Sequence, residues 1–226
     1  MNHSDLANAI VHWLEYERLC GRSNLLSEAA LKAPVGEFLL STQGHSLEVE
    51  VPYPKEMQPA KGRPRSVDFC LRRAGGGRVW TSIVESKWAN GKRDLSQEVF
   101  DDLLRLEHVR RSSQVEPFER VFLLAGQSKA IVQDIFEREA NGADGRVRLF
   151  EGVLPQTGSA GVPVANAPAG IVKYWHEAAI NIGLKGLPLT MKTKLVAMAS
   201  AGTFDCWVWR ISSARNRKIW EFGEQK

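Results

Sequence analysis

Two β-rich runs joined by a cluster of glycines constrain this chain more than any other feature of it. Residues 66–73 and 79–87 both read as strands, and Ala74-Gly75-Gly76-Gly77 lies between them. Glycines there permit the positive φ of a tight turn, so the runs are expected to form a hairpin. With the turn centred between Gly76 and Gly77, Asp68 faces Glu85. Opposed residues of an antiparallel pair share a face, with Cβ atoms about 4.5–5.5 Å apart. Lys87, two residues past Glu85, points the same way. A bulge would shift this register by one residue.

Two carboxylates placed so close repel one another. A divalent cation between them removes the conflict. Mg²⁺ suits the task, because it takes one or two protein carboxylates together with waters and substrate phosphate. A neighbouring ammonium could orient a water on that cation, or stabilise charge developing on phosphorus. Asp68, Glu85 and Lys87 therefore fit metal-dependent hydrolysis of a phosphodiester.

The rest of the chain reads as alternating helices and strands. Leu6, Ala9, Ile10, Trp13 and Leu14 recur at helical spacing behind Asn2 or Ser4 as a cap. A second helical piece begins at Ser27-Glu28, and Pro34 and Gly36 are expected to interrupt or kink it. Residues 45–51 alternate as a strand. Asp94 and Gln97 suggest a capping box ahead of a helix carrying Leu95, Val99, Leu103 and Leu106. Val121 to Ala125 is wholly apolar, as expected of a central strand buried on both faces. A helix from Ser128 and a strand at 146–150 are expected to follow. Residues 152–170, rich in Gly, Pro and Ala, read as a long loop, 171–182 as a helix, and 189–211 as two strands. This order predicts an α/β layered domain around a mixed sheet.

Charge bears on the partner. The net charge is +4 over 226 residues, but it is unevenly spread. Segments 55–78 and 185–226 each carry +5, against −4 for 1–54 and −2 for 79–184. Clustered basic side chains suit a polyanion. Within the first cluster, Arg63, Arg65, Arg72 and Arg73 are candidate phosphate contacts, and Trp88 a candidate stacking surface for a base. Three scattered cysteines exclude a disulfide framework and suggest a reducing cytoplasm. The N-terminal residues lack the pattern of a signal peptide, and no apolar run is long enough to span a membrane. No GxxxxGK[ST], GxSxG or GxGxxG pattern points to ATP, acyl-transfer or dinucleotide chemistry.

At Ser66-Val67-Asp68, a gap of sixteen residues, then Ile83-Val84-Glu85-Ser86-Lys87, the chain resembles the PD-(D/E)XK nuclease superfamily. Val67 stands where the motif's name has Pro. The resemblance implies that Asp68 and Glu85 hold Mg²⁺ or Mn²⁺ and that Lys87 assists the attacking water. It implies a restriction-endonuclease-like core of αβββαβ order, running from Glu28 to about Phe136 within residues 1–150. Residues 151–226 are then a C-terminal extension packed on the same domain. An acidic residue on the first core helix completes the site in many members. Glu28 is the candidate here and Glu37 its competitor, while Gln97 stands where a polar residue on the following helix often contributes. The implied substrate is nucleic acid, DNA before RNA, and a homodimer would suit double-strand cutting. Two other readings stay open: a nuclease-like module that binds nucleic acid or protein without cutting, and a small-molecule enzyme on a similar scaffold. The structural alternative for Asp68, Glu85 and Lys87 is a salt-bridge ladder on a solvated sheet face.

Overall fold

The computed structural model describes residues 1–58, 64–75, 79–109, 118–142, 145–164, 167–184, 186–212 and 219–221. Asn2 opens the first helix, α1 (His3–Leu19), where its side-chain oxygen accepts the N–H groups of Ser4 at 3.1 Å and Asp5 at 3.4 Å. Ser27 caps α2 (Glu28–Leu40) by accepting the Ala30 N–H. Pro34 and Gly36 do not break this helix as expected. Pro34 removes one intrahelical hydrogen bond but is itself buried, and the helix runs on with Leu31, Val35 and Leu39 packed in the core.

Next come β1 (His45–Pro52), β2 (Ser66–Arg73), β3 (Trp80–Ala89), α3 (Ser96–His108) and β4 (Glu119–Gln127). A short helix α4 (Ser128–Ile131) leads into a π-turn at Val132–Phe136. Then follow β5 (Glu139–Gly142), β6 (Gly145–Arg148), β7 (Ser159–Pro163), α5 (Ala169–Asn181), β8 (Gly186–Pro188), β9 (Thr190–Ala201), β10 (Phe204–Ser212) and β11 (Ile219–Glu221).

Among the described residues the main sheet has seven strands in the order β1-β2-β3-β4-β10-β9-β7. It is mixed: β3 and β4 run parallel and the other neighbours antiparallel. Helices cover both faces. Leu6, Ile10 and Leu14 of α1 and Leu31, Val35 and Leu39 of α2 pack over Phe69, Val84, Val121, Leu123 and Val208. On the other side Phe100, Leu103 and Leu104 of α3 and Trp175 of α5 pack over Ile83, Phe122, Leu124 and Trp209. Each such side chain contributes about 1.5–3 kcal/mol by leaving water. Residues Val121 to Ala125 are fully buried, as their unbroken apolar run requires.

One expectation is corrected here. The segment 152–170 is not all loop, since β7 lies within it and closes one edge of the sheet. The C-terminal part packs into the same sheet. β10 hydrogen-bonds to β4 along Phe204–Arg210, so three of the seven strands come from beyond residue 150.

The turn between β9 and β10 holds Gly202 at φ +58°, where an added Cβ would lie 2.1 Å from Glu15 Oε2. Gly202→Ala is expected to lower stability by about 1–2 kcal/mol, read as a shift of the urea midpoint. An unchanged midpoint would contradict this account of the turn.

Candidate active site where strands β2 and β3 part

The β2–β3 ladder pairs Leu71 with Ser82, Cys70 with Ile83 and Phe69 with Val84, then stops. This is the register expected from the glycine turn, carried to the rung next to Asp68 and Glu85. Gly75 takes φ +72° at the start of that turn. The pairing slips by one between Leu71 and Arg72, on the turn side and away from the acids.

Beyond the last rung Asp68 replaces the missing ladder bond with its side chain. Its Oδ2 accepts the Ser86 N–H at 2.9 Å and the Ser86 Oγ–H at 2.8 Å. Its Oδ1 lies 3.2 Å from Lys32 Nζ on α2. Lys32 also reaches Glu50 Oε1 at 2.9 Å. Val49–Phe69 and Val51–Val67 bracket Glu50 and Asp68 on facing strands, so one ammonium answers two opposed carboxylates.

Glu85 points into the layer beneath α3 and is 4% exposed. It accepts a short hydrogen bond from the Tyr53 hydroxyl. Burial and then the charge of Asp68 push its carboxyl up, against the pull of Arg105, Tyr53 and Lys87, and the result is about 7. Burial and the Glu85 charge likewise raise Tyr53 well above a free phenol, so Tyr53 remains a donor.

Lys87 is 12% exposed at its side chain. Its Nζ lies 3.1 Å from Glu28 Oε1, 3.2 Å from Asp102 Oδ2 and 3.6 Å from Glu98 Oε2. Arg93 ties Glu28 and Glu98 together from the rim, at 2.9 and 3.2 Å. Asp102, 1% exposed, is also paired with Arg105. Six carboxylates (Glu28, Glu50, Asp68, Glu85, Glu98, Asp102) thus meet four cations (Lys32, Lys87, Arg93, Arg105). Fully ionised, the cluster carries two uncompensated negative charges.

Asp68 and Lys87 both act on Glu85, and Glu28 reaches Lys87. Glu37 is exposed farther along α2. Gln97 stands apart from Lys87: its Nε2 donates to Asp101 Oδ1 at 2.8 Å and to the Tyr174 carbonyl at 3.4 Å, joining α3 to α5. It forms no capping box, because Asp94 accepts the Ser96 N–H and pairs with Arg138.

Of the basic candidates, Arg72 is paired with Glu48 on β1, and Arg73 is exposed at the end of β2. Arg65 is exposed, and its backbone is clasped by Gln58 at 2.7 and 2.9 Å. Arg63 lies outside the described residues. Trp88 is buried against Phe204, with ring centroids 6.2 Å apart. It packs the core beneath α1 and α2 and offers no open face to a base, which corrects the stacking expectation.

Sequence reasoning missed Lys32, Tyr53, Asp102 and Arg105. One signal existed: Asp102 and Arg105 interrupt the apolar face of α3 at i, i+3 spacing. A charged pair on a core-facing stripe calls for a partner inside.

Asp68 and Glu85 are oxygen donors of the kind a hard divalent cation takes, beside an excess of negative charge. Among the described residues no three His, Cys, Asp or Glu side chains form a ready ligand group. No helix among them is long and apolar enough to cross a membrane. Comparison with protein-family models, with curated proteins and with solved structures finds no significant match for the chain.

Proposed function

We propose that this chain is a metal-dependent nuclease that hydrolyses phosphodiester bonds in nucleic acid, DNA being the expected substrate. The carrying observation is the placement of Asp68, Glu85 and Lys87 where the β2–β3 ladder ends, in a cluster short of two positive charges. The order α2–β1–β2–β3–α3–β4 also supports a restriction-endonuclease-like core of αβββαβ order. Mg²⁺ or Mn²⁺, held by Asp68 and Glu85, would supply Lewis acidity and a water of lowered pKa. Ser86 fixes Asp68 and Tyr53 fixes Glu85, so both carboxylates are pre-positioned. Lys87, oriented by Glu28, Glu98 and Asp102, presents N–H donors where negative charge develops on phosphorus.

One observation favours a second reading, a module that binds nucleic acid without cutting. Every carboxylate around Lys87 and Asp68 already has a protein partner.

Supercoiled plasmid incubated with Mg²⁺ or Mn²⁺ separates the two readings. The nuclease reading expects nicking or linearisation that stops on chelation and falls about 10²-fold or more in Asp68→Asn. Salt-sensitive gel retardation with no cleavage in either metal would favour the binding module. Neither cleavage nor retardation would sink both.

A further inference from the structure

We propose that Arg105 is the phosphate-binding residue of this site, its guanidinium meeting the non-bridging oxygens of the diester that is cut. The inference rests on the nuclease reading and names a residue that the motif does not supply. Arg105 stands on α3 one turn past Asp102, and its side chain is 7% exposed. A guanidinium carries five N–H donors in a planar fork and cannot shed its charge. Nη2 is taken up by Asp102. Nε and Nη1 are buried and make no hydrogen bond of good geometry among the described residues, although the guanidinium lies close enough to the Tyr53 hydroxyl to pull its pKa down. Buried donors on a charged group are rarely left so unless a ligand completes them.

The guanidinium lies at the candidate site. Its carbon is 5.8 Å from the centre of the Tyr53 ring, whose hydroxyl holds Glu85, and its charge pulls on the Glu85 carboxyl. Through Asp102 it shares a partner with Lys87. Arg105 thus stands between the two halves of the site and is no deeper than Glu85 itself.

Nε and Nη1 point to opposite sides of the guanidinium, so each offers a single N–H to a phosphate oxygen. The surrounding acids repel a lone anion, so the diester is expected to bind together with a divalent cation.

The full chain is compared with Arg105→Lys and Arg105→Gln in two measurements. One is cleavage of a duplex oligonucleotide in Mg²⁺, resolved into kcat and KM. The other is affinity for the same labelled duplex in Ca²⁺ by fluorescence anisotropy at constant salt. Arg105→Gln is expected to bind about 10-fold more weakly and to lose about 100-fold in kcat/KM. Arg105→Lys keeps the charge and the Asp102 pair, and is expected to melt near wild type yet stay about 10-fold down in kcat, because an ammonium held by Asp102 lacks the further N–H groups that reach the diester. Should Arg105→Gln fail to fold, the lysine variant carries the test. Wild-type kinetics and affinity in Arg105→Lys would overturn the proposal. An inert wild type whose duplex affinity still falls in Arg105→Lys would keep the phosphate contact and remove the nuclease reading. An inert wild type with unchanged affinity would remove both.

Discussion

Glu85→Gln is expected to make the protein more stable at pH 8 by about 3 kcal/mol while leaving its stability at pH 4 nearly unchanged. The cause is a buried carboxyl held near 7 in the folded chain against an ordinary value of 4.5. Between those limits the folded state binds the extra proton, so the contribution of this carboxyl to stability is fully present below about pH 4.5 and is lost as pH rises through 7. A shift of about 2.5 pH units corresponds to about 3 kcal/mol. Glutamine carries no such proton and can still accept from the Tyr53 hydroxyl, so its stability curve lacks that slope. Asp101 and Asp134 are raised as well, chiefly by burial. They act equally in both proteins, and the difference between the two curves isolates Glu85. Denaturant midpoints at several pH values give the result, and parallel curves would exclude Glu85 as the titrating group. Mg²⁺ supplies a second arm. A cation between Asp68 and Glu85 favours the ionised carboxyl, so added Mg²⁺ should stabilise wild type more at pH 8 than at pH 5. It should do little for Glu85→Gln.

Local chemistry made some parts of this molecule legible and left others dark. The limits of β2, the buried β4 run and the Asn2 cap follow from alternation, apolar composition and an acceptor side chain ahead of a helix. The register between β2 and β3 followed from the turn alone, because few residues separate the strands. Pro34 misled: its lost hydrogen bond is local and visible, while the burial of the α2 face that outweighs it is tertiary. Gln97 misled likewise, since a capping box and a link to Asp101 across one helical turn use the same residue type. The C-terminal strands were recognisable as strands, but nothing local says that β10 lies beside β4, about eighty residues away in sequence. Lys32 and Tyr53 were dark for the same reason. Each reaches the site from a different element, α2 and the segment after β1, and carries no motif.

Lys87→Met is expected to act on stability and on chemistry by separate routes, and a second substitution distinguishes them. Removing the ammonium takes one counter-charge from Glu28, Glu98 and Asp102 at once. Arg93 still serves Glu28 and Glu98, and Arg105 still serves Asp102. The loss is therefore placed at about 3 kcal/mol, the low end for breaking a buried pair. Adding Asp102→Asn removes one of the carboxylates left in excess. It returns the cluster to the charge imbalance of wild type, so it should recover roughly 1–2 kcal/mol of that loss. Cleavage should not follow. If Lys87 stabilises charge at phosphorus, kcat falls by about 10²–10³-fold in Lys87→Met and stays there in the double variant, because no donor has been restored. Recovery of both stability and cleavage in the double variant would make Lys87 a structural counter-ion and leave the chemistry to other groups. Full wild-type cleavage by Lys87→Met alone would remove it from the mechanism outright.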